Sequence, residues 1–378
     1  MEEALAMAVY AHINSVPNGS TGGIMMKRHH ELLEAGHESH VFWGRGRRGG
    51  NEREHRFATD AEVNFDVLQT RLDGRAGFHS KSATRRLLSK LDEVRPDVVC
   101  LHNLHGYYLN IEMLFEWLAG HDCHVEWTLH DCWAFTGHCA HFTYAECEQW
   151  RTHCAHLGDC PQLDTYPKTI CGRSCVRNFT DKRRIFTGVP PERMKLVAPS
   201  HWLEGLVRQS FLGGYPVEVC HNTVDKSVFK PTPSDFRECY GIGDRFMILG
   251  VASPWTDRKG LGDFVRLAGE LDGEKSAIVL VGLSERQIKL LPEGIIGLTR
   301  TDSPQELAGI YATADVFFNP TVEDNYPTVN LEAEACGTPV ITYDTGGCRE
   351  TVSRADSSVV EGYEEAMARL SDIRSLIR

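Results

Sequence analysis

Residues 315–347 constrain the fold more than any other stretch of the chain. Asp315-Val316-Phe317-Phe318 reads as a buried strand, Pro327 suits the first turn of a helix, and Gly337 followed by Pro339 stops that helix. Val340-Ile341-Thr342-Tyr343 is the next strand, and Gly346-Gly347 closes the unit. A strand, an acidic loop, a helix and a second strand in succession belong to an open α/β sheet. In such sheets ligands gather at the carboxyl ends of strands, and a helix start offers unpaired N–H groups to an anion. Glu323, Asp324 and the backbone through Tyr326, Pro327 and Thr328 are therefore candidate ligand contacts.

With 378 residues the chain exceeds the size at which single cores usually stop growing, so two domains are expected, 1–222 and 223–378. The first opens with a strand ending at Ile13, a loop from Ser15 to Gly23, a helix from about Ile24 to Glu34 and a second strand at His40-Val41-Phe42-Trp43. Gly22 and Gly23 allow a ligand to approach the backbone there, although a tight turn would use the same residues and the G-x-G-x-x-G fingerprint is absent. Arg47 to Asn64 reads as a polar, mobile loop, and the spacing of Leu87, Leu88, Leu91 and Val94 predicts a helix from Ser82 to Val94. Two strands then deliver titratable groups to one rim. Val98–Leu101 leads to His102, Asn103 and His105, and Val125–Leu129 leads to His130 and Asp131. His105 and Tyr107 offer an acceptor surface by stacking, whereas a lone histidine at a strand end is ordinarily just a satisfied polar group.

Periodicity fails from Cys132 to Cys175, an irregular insertion rich in cysteine and histidine. Cys139, Cys147, Cys154 and Cys160 are candidates for a structural tetrathiolate zinc site, with Cys171 and Cys175 as a competing pair and buried thiols or disulfides as the alternative. The second domain repeats the alternation. Its strand Phe246–Val251 runs into a loop carrying Arg258, Lys259 and Gly260 ahead of a helix, which supplies charge and free amides to a phosphate. Glu332 and Glu334 project about 200° apart on their helix, so only one can face a ligand, where it would accept the hydroxyls of a ribose. The last helix, from about Glu361 to Ile377, has the amphipathic spacing to pack back across the first domain.

The formal charge of −12 argues against a general nucleic-acid binder. Basic residues nevertheless gather at Arg45, Arg47 and Arg48 and at Lys81, Arg85 and Arg86, a solvated face or a contact for anionic lipid. The N-terminus has no basic flank before its apolar core and no stretch approaches a membrane span, so a cytoplasmic protein, peripheral at the inner face of a membrane at most, is expected.

Taken together, these residues resemble the family 4 retaining glycosyltransferases of the GT-B fold, in particular their bacterial polysaccharide-synthesis branch. The resemblance is carried by STGGI, RPDVVCLHNLHGYYLNI, WTLHDCWAFTGHC through CPQL, APSHWL, NTVDKSVFKP, the RKG loop and EDNYPTVNLEAEACGTPVITYDTGG. It implies two facing Rossmann-like domains, a nucleotide sugar as donor and a glycan or lipid-linked acceptor. By position, Lys259 with Arg258 would neutralise the diphosphate, Glu332 would hold the ribose, His130 would lie near the transferred sugar, and Gly22 and Gly23 would approach the diphosphate. Asp324 takes the first place of the family's acidic pair, where Glu is usual, so neighbouring Glu323 is the alternative. No Asp-x-Asp occurs, so no catalytic metal is expected. The rival readings are a nucleotide-sugar epimerase or hydrolase of the same fold, and a catalytically silent glycan-binding scaffold.

Overall fold

The structure is a computed structural model that describes residues 7–46, 51–154 and 160–377. Arg47, Arg48 and, within the insertion from Cys132 to Cys175, His156 lie outside the described residues. The chain divides between Cys220 and His221 into two compact units.

The first unit is built on seven strands: β1 (Val9–Asn14), β2 (Glu38–Trp43), β3 (Glu54–Arg56), β4 (Val98–Leu101), β5 (His124–Thr128), β6 (Met194–Ala198) and β7 (Val217–Val219). All pairings are parallel, in the order β3-β2-β1-β4-β5-β6-β7. Its helices are α1 (Gly19–Glu34), α2 (Asp60–Asp73), α3 (Lys81–Val94), α4 (Ile111–Gly120), α5 (Ser174–Phe186) and α6 (His201–Gln209). Parallel strands are covered on both faces, so they read as continuous apolar runs such as Val98-Val99-Cys100-Leu101. Leu87 and Leu91 of α3 and Leu114, Phe115 and Leu118 of α4 are fully or almost fully buried in the core against them.

The second unit contains α7 (Phe236–Cys239), β8 (Phe246–Val251), α8 (Leu261–Glu270), β9 (Ser276–Val281), α9 (Glu285–Ile288), β10 (Ile295–Leu298), α10 (Pro304–Thr313), β11 (Val316–Asn319), α11 (Thr328–Ala335), β12 (Val340–Tyr343), β13 (Ser358–Val360) and α12 (Tyr363–Ile377). Its sheet is also parallel, in the order β10-β9-β8-β11-β12-β13. One face packs Phe264, Leu267, Ala366 and Leu370, the last two from α12; the other packs Tyr311, Ala333 and Cys336. Both units are thus doubly wound Rossmann-like sheets. In each the strand order reverses beside the first strand, between β1 and β4 and between β8 and β11, where open sheets form a ligand crevice.

Three boundaries differ from the sequence reading. Gly22 and Gly23 lie inside α1, not in a loop before it. A Cβ on Gly22 would stand 2.5 Å from the Pro17 carbonyl carbon, so that glycine is needed for the helix to lie against its own connection, while Gly23 has open space around it. The segment read as a mobile loop holds β3, a short charged edge strand, and the first turn of α2, which Thr59 and Glu62 cap reciprocally. Pro327 precedes the first residue of α11 as its N-cap. Among the described residues no helix is long and apolar enough to cross a membrane.

Candidate functional site

At the reversal point of the second sheet, the connections after β8 and β11 are pressed together. Gly260 has φ 75°, and a Cβ there would stand 2.3 Å from the Pro320 carbonyl oxygen. The Val322 N–H donates to the Arg258 carbonyl at 2.9 Å. The contact brings the basic pair onto the acidic loop: the Arg258 guanidinium donates to the Glu323 carbonyl, and the Lys259 ammonium pairs with the Asp324 carboxylate. Glu323 is completely buried, whereas the Asp324 side chain keeps 18% of its surface exposed. A lysine and a carboxylate held together at a strand-end crevice form a charge pair that an incoming phosphate can split.

Gly346 fixes this loop from behind. It has φ 57°, its Cβ position lies 2.0 Å from the Asp324 carbonyl oxygen, and the next N–H, of Gly347, donates to that oxygen at 2.9 Å. Alanine at 346 must displace backbone, not a flexible side chain. Gly346→Ala is expected to destabilise the second unit by about 2 kcal/mol or more, read as a lower calorimetric melting temperature of that unit.

The adjoining helix separates its two glutamates as the geometry of α11 requires. Glu332 accepts from the Tyr311 hydroxyl at 3.1 Å, and burial raises its pKa against the lowering effect of its Tyr311 and Thr328 hydrogen bonds. Glu334 turns the other way and accepts from the backbone N–H groups of Ser353 and Arg354. Asn330, fully buried, accepts from Asn319 at 2.9 Å and donates to the Thr351 hydroxyl at 2.8 Å, so it ties the end of β11 to the helix start. Tyr326 stacks on His221 at 4.9 Å.

On the first unit, the ends of β1, β4 and β5 gather a second constellation. Asn14, fully buried, accepts from the N–H groups of Ser15 and Asn103 at 2.8 and 3.3 Å and locks the β1 and β4 connections together. His102 Nδ1 and His130 Nε2 are 3.2 Å apart, with the rings stacked at 5.5 Å. The other nitrogen of His102 is buried without a partner. A buried N–H without an acceptor costs more than an unused lone pair. The His102 proton therefore belongs on Nδ1, donated to His130, which leaves His130 with its proton on Nδ1. Burial lowers the His130 pKa to about 4, so the ring is neutral near pH 7. His105 holds Asp131 at 2.7 Å on one ring nitrogen and the Tyr166 hydroxyl at 2.9 Å on the other. Burial alone would raise the Asp131 pKa, but His105 and the Trp133 N–H bring it well below the usual carboxylate range. Tyr107 has φ 65° and meets Tyr166 edge-on at 5.8 Å.

The sequence reading found His130, Asp131, His105 and Tyr107 but missed Asn14 and Tyr166, which hold them. It also missed Lys182, fully buried, whose ammonium donates to the carbonyls of Trp133 and Thr136 at 2.7 and 3.0 Å; burial pushes its pKa down to about 7. Nothing in the run RNFTDKRRIF distinguishes this lysine from a surface one.

Lys182 adjoins the thiols of the insertion, where the Gly137 N–H donates to Cys154 Sγ at 3.2 Å. Cys160 hydrogen-bonds Cys175, which draws its pKa down to about 7, whereas burial raises Cys154 to about 11. Among the described residues, Cys139, Cys147, Cys154 and Cys160 do not bring three sulfurs within 4.8 Å of one another, so this arrangement does not fit the tetrathiolate zinc set as drawn.

Residues 245–376, most of the second unit, match the family model for Glycosyl transferases group 1. The chain is 26% identical over 369 residues to a putative colanic acid biosynthesis glycosyl transferase, WcaC, of Escherichia coli K12, covering 92% of this chain and 85% of that one. It is also 26% identical over 299 residues to a D-inositol 3-phosphate glycosyltransferase of Corynebacterium jeikeium, there covering 71% of this chain and 62% of the relative. Among solved structures, Anabaena Alr3699/HepE in complex with UDP and glucose superimposes with a TM-score of 0.61 at 14% identity, over 98% of this chain and 90% of that one. Residues 245–376 thus match a glycosyl transferases group 1 domain, and the chain as a whole shares the two-unit GT-B fold of the glycosyltransferases it resembles.

Proposed function

We propose that the second unit binds a nucleotide diphosphate sugar and that the enzyme transfers the sugar, with retention at the anomeric carbon, to a hydroxyl of a glycan or lipid-linked saccharide in surface polysaccharide synthesis. The observation that supports it best is the meeting of Lys259 and Arg258 with the Glu323-Asp324 loop at the reversal point of the second sheet. In this reading the diphosphate takes Lys259 from Asp324, and Asp324, freed, turns to the hydroxyls of the sugar. Glu323 has no exposed surface and serves the loop's internal structure. Glu332 holds the ribose, and the start of α11, through Tyr326, Pro327 and Thr328, faces the phosphates.

Charge develops on the departing diphosphate, where fixed cations and amides stabilise it without reorganisation. The departing phosphate oxygen then helps to take the acceptor proton. His130, neutral and set in one tautomer by His102, orients and does not act as a dedicated base; His105, Tyr107 and Asp131 receive the acceptor, with Gly22 and Gly23 beside the donor phosphates. The reaction is read as metal-independent and the protein as cytoplasmic, peripheral at the inner membrane face. The relatives named for colanic acid synthesis and for complexes with UDP favour a polysaccharide product and a uridine nucleotide. A panel of sugar nucleotides with EDTA present tests this. Turnover with the anomeric configuration of the donor kept in the product, read by NMR, is the expected result; inversion would refute the retaining mechanism, and failure to bind any donor would refute the enzyme reading.

A further inference from the structure

Helix α2 is built the wrong way round for a helix on a soluble domain. The side it buries carries Val63 together with Asp66 and Thr70, and the side it exposes carries Phe65, Leu68 and Leu72, which keep 61%, 53% and 60% of their surface open. These three stand at i, i+3 and i+7, one continuous outward stripe. The inward polar pair is fully satisfied: Thr70 donates to Asp66 at 3.1 Å, and the Ser80 hydroxyl donates to the other carboxylate oxygen. The inversion is therefore built in, with the buried side closed by its own hydrogen bonds. Ile170, 81% exposed, extends the stripe, because its N–H donates to the Arg71 carbonyl at 3.0 Å at the end of the helix.

The surrounding charge has one sign left over. Two acids of α2 are paired locally, Asp60 with Arg56 and Glu62 with Arg86, and Asp73 hydrogen-bonds His79 at 3.2 Å. Arg71, Lys81, Arg85 and Arg173 are exposed and, among the described residues, make no ion pair. An apolar stripe bordered by unpaired cations complements an anionic lipid surface, into which apolar side chains insert while the bases meet the headgroups. A second copy of the chain fits poorly. An isologous dimer would set these cations against themselves, and one helix face is small beside the roughly 800 Å² per partner of a stable interface.

We propose that the first unit docks on an anionic bilayer through Phe65, Leu68, Leu72 and Ile170, with Arg71, Lys81, Arg85 and Arg173 around them. The proposal rests on the transferase reading only for its purpose, presentation of a lipid-linked acceptor. The segment from Tyr166 to Ile170 joins the two places: Tyr166 touches His105 and Tyr107, and four residues later Ile170 lies in the patch.

The test is co-sedimentation of the full chain with vesicles of phosphatidylcholine alone or mixed with phosphatidylglycerol, with UDP affinity measured on the same preparations by thermal shift. Binding is expected only with phosphatidylglycerol, and it should fall as salt is raised. The combined variant Phe65→Ser, Leu68→Ser, Leu72→Ser should bind about tenfold more weakly or less, with its UDP affinity unchanged, since all three side chains are exposed. Wild type that ignores both vesicles, a variant that binds like wild type, or a concentration-dependent dimer that the variant dissolves would each overturn the proposal. Vesicle binding of the expected pattern in a protein that binds no nucleotide would uphold docking and count against the transferase reading alone.

Discussion

Replacing Lys259 with alanine is expected to lower sugar transfer by a factor of about 100 to 1000, the usual loss when one fixed group facing transition-state charge is removed. Loss of its partner should spare the fold. The Lys259 and Asp324 side chains keep 21% and 18% of their surface exposed, so Asp324 can be hydrated in the variant, and a shift of only a few degrees in melting temperature is expected. The companion substitution separates the phosphate role from a merely structural pair. If Lys259 leaves Asp324 to meet the diphosphate, Asp324→Asn releases the lysine in advance. UDP should then bind as well as to wild type or better, while transfer from the intact sugar nucleotide falls. If the pair only holds the loop in place, both variants should weaken UDP equally. Isothermal titration with UDP, followed by transfer assays on both variants, decides between the two.

The legible part of this molecule was the part in which apolar pattern and burial agree. The strands of both sheets read as short apolar runs because parallel strands are covered on both faces. Their carboxyl ends then located His102, His105, His130, Asp131, Lys259 and Asp324 without any knowledge of contacts. The choice between Glu323 and Asp324 was not legible, because it depends on the Gly260 and Gly346 contacts, which set which carbonyls the loop turns inward. Helix α2 escaped because the rule that finds helices assumes the apolar face is buried, and here Asp66 and Thr70 occupy that face. Lys182 escaped for a related reason: its acceptors are backbone carbonyls of residues 133 and 136, and a carbonyl leaves no mark in the sequence.

Acid should unfold the first unit well before the second. Seventeen of the eighteen histidines precede the boundary, His221 being the exception. Three of them, His12 on β1, His29 on α1 and His102 just after β4, are buried side by side, with His12 stacked on His102 at 6.1 Å and edge-on to His29 at 6.4 Å. Neither ring nitrogen of His12 has a partner. Burial first, and then neighbouring positive charge, lowers His12 to about 3 and His29 to about 4, and burial lowers His102 well below its ordinary value. In the unfolded chain the same imidazoles take up protons near pH 6.5. Below that pH the unfolded state therefore binds more protons than the folded one, and stability falls as pH falls. The loss approaches about 1.4 kcal/mol per pH unit for each histidine, about 4 kcal/mol per unit for the three. Against a typical total of about 5–15 kcal/mol, a drop from pH 6.5 to 5 brings the first unit close to its unfolding transition. Asp131 adds nothing in this window: its folded-state pKa is depressed, so its contribution persists until the pH falls below about 4. Six of the seven tryptophans lie in the first unit and Trp255 in the second, so intrinsic fluorescence follows mainly the first. A melting temperature by fluorescence that falls steeply between pH 6.5 and 5 is expected, with the second unit's calorimetric transition nearly unmoved. His12→Phe keeps a ring in the stack and removes one titrating group; because burial also lowers His130 and His138 to about 4, it should flatten the slope by about a fifth. A fluorescence melting temperature that is flat from pH 7 to 5 would show that these histidines are already protonated, or hydrated, in the folded protein.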